Sequence, residues 1–176
     1  MNAAHLHLLV NHVPIIGSAF GLFFLLLSLH PRFGANVRRA GLILFVVTGL
    51  FSFISVESGE KVWKFLLGIP GVQWDNMRDH IVLAKNANIV AIITALVALF
   101  ILVMDWIDRK FPSFVRWLAY LLGIVTFVMM VVVGERGGMI HHPEVIKDWK
   151  ANHSDQVVPD PTFGKKRETE NSESSE

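Results

Sequence analysis

No cysteine occurs anywhere in the chain. Disulfides, thiolate metal sites, thioether-linked haem and cysteine nucleophiles are therefore excluded, and any metal ligand must be histidine, carboxylate or methionine. Charge is scarce as well: Asp, Glu, Lys and Arg make up 18% of residues against 52% hydrophobic, too apolar a balance for a small soluble domain. The scarcity is uneven. Leu6 to Pro31, Ala40 to Val56, Asn86 to Met104 and Trp117 to Gly134 contain no Asp, Glu, Lys or Arg at all, and each is near the ~17 to 25 residues that a membrane-spanning helix needs. No Lys or Arg precedes the first block and no small-x-small cleavage pattern follows it, so it is expected to stay in the mature protein as a span, not a signal. With a net charge of +1 and basic residues confined to helix flanks, nucleic acid is not an expected partner.

What is present fits an all-α fold, an antiparallel four-helix transmembrane bundle with short loops. The expected helices cover about 6–30, 37–57, 76–104 and 114–134 within a domain of 1–153, followed by a polar tail, 154–176, rich in Lys, Glu and Ser and expected to be disordered. Pro14 either opens the first apolar run as a first-turn proline or kinks a longer helix. Asn36, Asp75 and the Pro112-Ser113 pair are start signals for the other three helices. Ser58-Gly59 reads as the end of the second helix and Glu60 to Leu67 as an interfacial segment. Gly137-Gly138 reads as a turn after the fourth. Trp106, Trp117 and Tyr120 suit the membrane interface. No internal repeat is evident along the chain.

Four alternating spans put the start of the first helix, the end of the second, the start of the third and the end of the fourth on one membrane side. Those ends carry His5, His7 and His12; Glu57 and Glu60; Asp79 and His80; and Glu135, His141 and His142, so six of the eight histidines gather there. Imidazole with carboxylate suits Zn, Fe, Cu or haem iron. The plain alternative is that polar residues belong at any membrane boundary. His80 shares a helical face with Ala84, Ala87, Ala91, Ala95 and Ala98, a small-residue stripe of the kind that packs against other helices. It therefore points toward the bundle, either as a ligand or as a core histidine bonded to a backbone carbonyl. If the first helix runs straight through, His7 shares the face of Gly17, Gly21 and Ser28; a break at Pro14 would bring in His12 instead.

The segment His5-Leu-His7-Leu-Leu-Val-Asn11-His12-Val-Pro14-Ile-Ile-Gly17 resembles the opening of a group of bacterial four-helix integral membrane proteins, and the likeness runs over nearly the whole hydrophobic part. Glu57-Ser-Gly-Glu60 falls in register with that group's Gly-Glu motif. His80-Ile81 stands where the group has His-Glu. Glu135-Arg136-Gly137-Gly138 stands where it has His-Leu-Gly-Gly, with His142 matching a later histidine. The resemblance implies the four-helix fold and these positions, and carries no activity with it.

The leading expectation is a site for haem b or a transition metal ion (Zn, Fe or Cu) at the histidine end. His12, His80 and His142 are the cofactor ligands expected there, and the wider metal-ligating set is His5, His7, His12, Glu57, Glu60, His80, Glu135 and His142. Redox or electron-transfer activity would follow from haem. The competing expectation is a non-enzymatic scaffold or accessory subunit without cofactor, in contact with the lipid bilayer and with a membrane-protein partner or a second copy. A transporter is disfavoured because no ionisable residue sits at mid-membrane, and no nucleophile-base pair points to a hydrolase. Arg32, Arg38, Arg39, Arg109, Lys110 and Arg116 crowd the two short loops, which favours those loops as cytoplasmic and the histidine face as periplasmic in a bacterial inner membrane.

Overall fold

The computed structural model describes the backbone of residues 3–66 and 74–141, and the side chains of 5–63 and 77–138. Five helical segments follow in order: α1 (Ala3–Val10), α2 (His12–Leu27), α3 (Gly34–Leu66), α4 (Trp74–Trp106) and α5 (Ser113–His141). Among the described residues four stretches are long and apolar enough to cross a membrane, His5–Leu27, Gly34–Trp63, Met77–Trp106 and Ser113–Gly138, so α1 and α2 together make one span. Each helix packs on its neighbours in the ring α2, α3, α4, α5 and back to α2, while α1 lies against α3.

The boundary between α1 and α2 has a simple cause. Pro14 has no N–H to give the carbonyl of Val10, so the helical ladder skips a rung there. Asn11 nevertheless keeps right-handed helical angles (φ −64°, ψ −24°), and its N–H still reaches the His7 carbonyl at 2.9 Å. The helical phase is kept, and Val10, Pro14, Gly17, Gly21 and Leu25 are buried on the same face.

Several boundaries differ from those read off the sequence: the first helix starts at Ala3 and α3 at Gly34, three residues early, and Asn36 and Asp75 lie inside α3 and α4 and not at their caps. The first span ends at Leu27, not His30, with the Ser28 hydroxyl turned back onto the Leu25 carbonyl at 2.6 Å. α3 runs through Ser58-Gly59 to Leu66 instead of stopping near 57, and α5 runs through Gly137-Gly138 to His141 instead of stopping at 134. Glycine was read as a turn signal in both places; its use here is to let another helix approach closely. The tail expected over 154–176, like His142, lies outside the described residues.

Small residues set the packing, as expected where lipid supplies no hydrophobic drive between helices. A Cβ on Gly41 would lie 2.8 Å from the Gly21 carbonyl, and one on Gly49 would lie 2.5 Å from the Ala95 Cβ. The alanine stripe of α4 is buried as read: Ala87, Ala91 and Ala98 are at most 1% exposed. Away from the histidine end, Leu22, Leu25, Leu42, Phe45, Ala98, Ile101 and Ala119 form an apolar core. The far end is tied by Asp105, which accepts from Arg38 at 3.1 Å and from Arg39 at 3.5 Å, and by a 2.9 Å bond between Ser28 and Tyr120.

Candidate ligand site at the histidine end

Among the described residues two histidines turn into the bundle, His7 and His80, and both are held in the same way. His7 Nδ1 lies 2.9 Å from the Ser55 carbonyl oxygen of α3, with Ser58 Oγ at 3.3 Å. His80 Nδ1 lies 3.1 Å from the Val133 carbonyl oxygen of α5. A carbonyl only accepts, so Nδ1 carries the proton in each ring and donates it. In the neutral ring this bond selects the Nδ1–H tautomer, whose Nε2 carries the lone pair. Among the described residues nothing hydrogen-bonds to either Nε2.

Glycine makes both seats. A Cβ on Gly59 would fall 3.0 Å from His7 Cε1, and one on Gly137 would fall 3.1 Å from His80 Cε1. In each case the glycine is one turn beyond the carbonyl that anchors the ring, so carbonyl and glycine lie on one face of their helix. Ser58, 3% exposed, spends its proton on the Ile54 carbonyl at 2.8 Å, which leaves its oxygen to accept from His7. Asn11 Oδ1 and Ser55 Oγ are buried at this end of the bundle, and Asn88 Oδ1 about two turns further in, with no partner among the described residues.

The other expected ligands are placed differently. His5 and His12 are exposed, as are Glu57 and Glu135. The phase through Asn11 decides between His7 and His12: the helix keeps its face, so His7 points inward. Glu60 is bound to Lys85 of α4 at 2.6 Å across the α3–α4 boundary. Among the described residues no three His, Asp or Glu side chains come together as a metal-holding group.

The anchoring carbonyls of Ser55 and Val133 are invisible to a search by side-chain chemistry. The seats at Gly59 and Gly137 had a sequence signal, an Glu-x-Gly triplet at 57–59 and again at 135–137. Comparison with known protein families, with curated proteins and with solved structures finds no match for the chain.

Proposed function

We propose that the chain is a membrane-embedded ligand-binding protein whose histidine end takes haem b iron or a transition metal ion (Zn, Fe or Cu) through Nε2 of His7 and His80. One observation carries the reading: each half-buried imidazole donates Nδ1–H to a backbone carbonyl, the arrangement that turns Nε2 into the ligating nitrogen. That hydrogen bond fixes the tautomer, orients the ring and raises the basicity of the ligating nitrogen, as outer-shell bonds do for metal-bound histidine. The exposed Glu57, Glu135 and His12 would act at the rim. With haem bound, electron transfer is the activity that follows.

The chain is further proposed to belong with the bacterial four-helix membrane proteins that its opening motif resembles, in the inner membrane with the arginine-rich loops in the cytoplasm. A reporter fused at the C terminus checks that orientation. The second reading, an accessory subunit without cofactor, is favoured by the outward placement of His12, Glu57 and Glu135. The two separate on the absorption spectrum and metal content of detergent-purified protein expressed with haem and metals supplied. A Soret band or stoichiometric metal supports the ligand site; a clean apo chain supports the subunit.

A further inference from the structure

The two histidines are seated alike, and the likeness extends along the helices that seat them. Reading α3 from Val37 to Gly59 and α5 from Val115 to Gly137 gives one pattern twice without a gap: Val-Arg-x5-Leu-x2-Val-Thr-x8-Glu-x-Gly. In this register Ser55 matches Val133, the two carbonyls that anchor the histidines, and Gly59 matches Gly137, the two seats. Phe45 matches Gly123, and Thr48 matches Thr126. Aligning the preceding helices on His7 and His80 pairs Gly21 with Thr94 and Leu22 with Ala95.

We infer that the chain is two copies of one helical hairpin, α1–α2–α3 and α4–α5, related by a pseudo-two-fold axis along the bundle, and that His7 and His80 are equivalent residues meeting on that axis as twin ligands of a single acceptor. The ligand half rests on the function proposed above; the repeat does not. Equivalent residues touch one another only at a two-fold axis, and Phe45 reaches diagonally across the bundle to its own counterpart: its Cζ lies 3.0 Å from where a Cβ on Gly123 would be. One position carries the ring and the other glycine because the axis has room for one ring.

The same register explains where the halves depart. Thr126 bonds Thr94 at 2.7 Å, and Thr94 spends its own proton on the Val90 carbonyl at 2.8 Å, so Thr126 is the donor between them. Thr48 is as fully buried as Thr126 yet has no partner among the described residues, because the counterpart of Thr94 in its own hairpin is Gly21. The close α3–α4 approach at Gly49 and Ala95 corresponds in α5 and α2 to Phe127 and Leu22, whose bulk suits the less extensive contact between those two helices.

A two-fold pair of imidazoles with matched anchors presents two like nitrogen ligands to one centre, the donor set of a bis-histidine haem or a single ion. The absence of cysteine makes the test clean. In membranes, the full chain carrying Phe45→Cys with Gly123→Cys, or His7→Cys with His80→Cys, is treated with a short bis-methanethiosulfonate. Both pairs are expected to cross-link within one chain, while Leu44→Cys with Leu122→Cys, equivalent positions off the axis, does not. Failure of either axial pair, or equal cross-linking of the Leu44 pair, overturns the repeat. Hemin added to the purified protein is expected to give a six-coordinate low-spin spectrum at one per chain, reduced alike by His7→Ala and His80→Ala. A six-coordinate spectrum surviving in one variant overturns the twin-ligand assignment. If the wild type takes up neither hemin nor metal, the proposed function fails and the cross-links alone decide the repeat.

Discussion

His80 donates Nδ1–H to the Val133 carbonyl at 3.1 Å and rests on Gly137, one turn further along α5. The contact is tight enough to make the glycine a sensitive probe. Gly137→Ala would push a methyl onto the imidazole, and overpacking of this kind costs about 1–3 kcal/mol. Gly138, with nothing within 4 Å of its would-be Cβ, is the control: Gly138→Ala should be neutral or stabilising by up to ~1 kcal/mol, since alanine is the better helix former. Thermal unfolding of the two variants in detergent reads the difference, and equal effects would contradict the seat. Gly59→Ala should behave like Gly137→Ala through His7.

The buried threonines give a second contrast. Thr126→Val removes the donor to Thr94 and should cost about 0.5–1.5 kcal/mol, in the range found for hydrogen bonds between membrane helices. Thr48→Val removes a hydroxyl that has no partner among the described residues and should be close to neutral. Unfolding of both variants by a denaturing detergent in a mild-detergent background checks the order. A larger loss at Thr48 would mean that its hydroxyl has a partner.

Two ion pairs should differ for reasons of exposure. Asp105 is 14% exposed and serves both Arg38 and Arg39, so Asp105→Asn leaves two guanidiniums competing for a neutral amide; a loss of about 1–2 kcal/mol is expected, below the cost for a fully buried pair. The Glu60–Lys85 pair is about half exposed on each side, and Glu60→Gln should cost less than ~1 kcal/mol. Raising the salt concentration should narrow the difference between Glu60→Gln and wild type more than that between Asp105→Asn and wild type.

The fold was largely legible because its signal is coarse. Four uncharged blocks, the alanine stripe of α4 and the interfacial aromatics all follow from the cost of placing charge and open backbone in hydrocarbon. The inward turn of His80 followed from that stripe. The ends of α3 and α5 were less legible: glycine serves both for turns and for close approach, and only the imidazoles lying against Gly59 and Gly137 decide which. His7 was favoured by helical phase and His12 by a break at Pro14. Asn11, still helical, settles it, since a missing N–H need not redirect a helix whose neighbours hold it. The proposed repeat is hard to read from the sequence because only a sparse pattern is shared, and the equivalence of Ser55 and Val133 lies in their carbonyls, which the sequence does not distinguish.

The inward pair, not the exposed histidines, is proposed to hold the ligand. The most direct test is the haem and metal content of purified His7→Ala, His80→Ala and His12→Ala proteins beside the wild type, each expressed with haem and metals supplied. A ligand is expected in the wild type, lost in His7→Ala and in His80→Ala and kept in His12→Ala. Loss in His12→Ala with retention in the other two, or a wild type that carries nothing, would contradict this assignment.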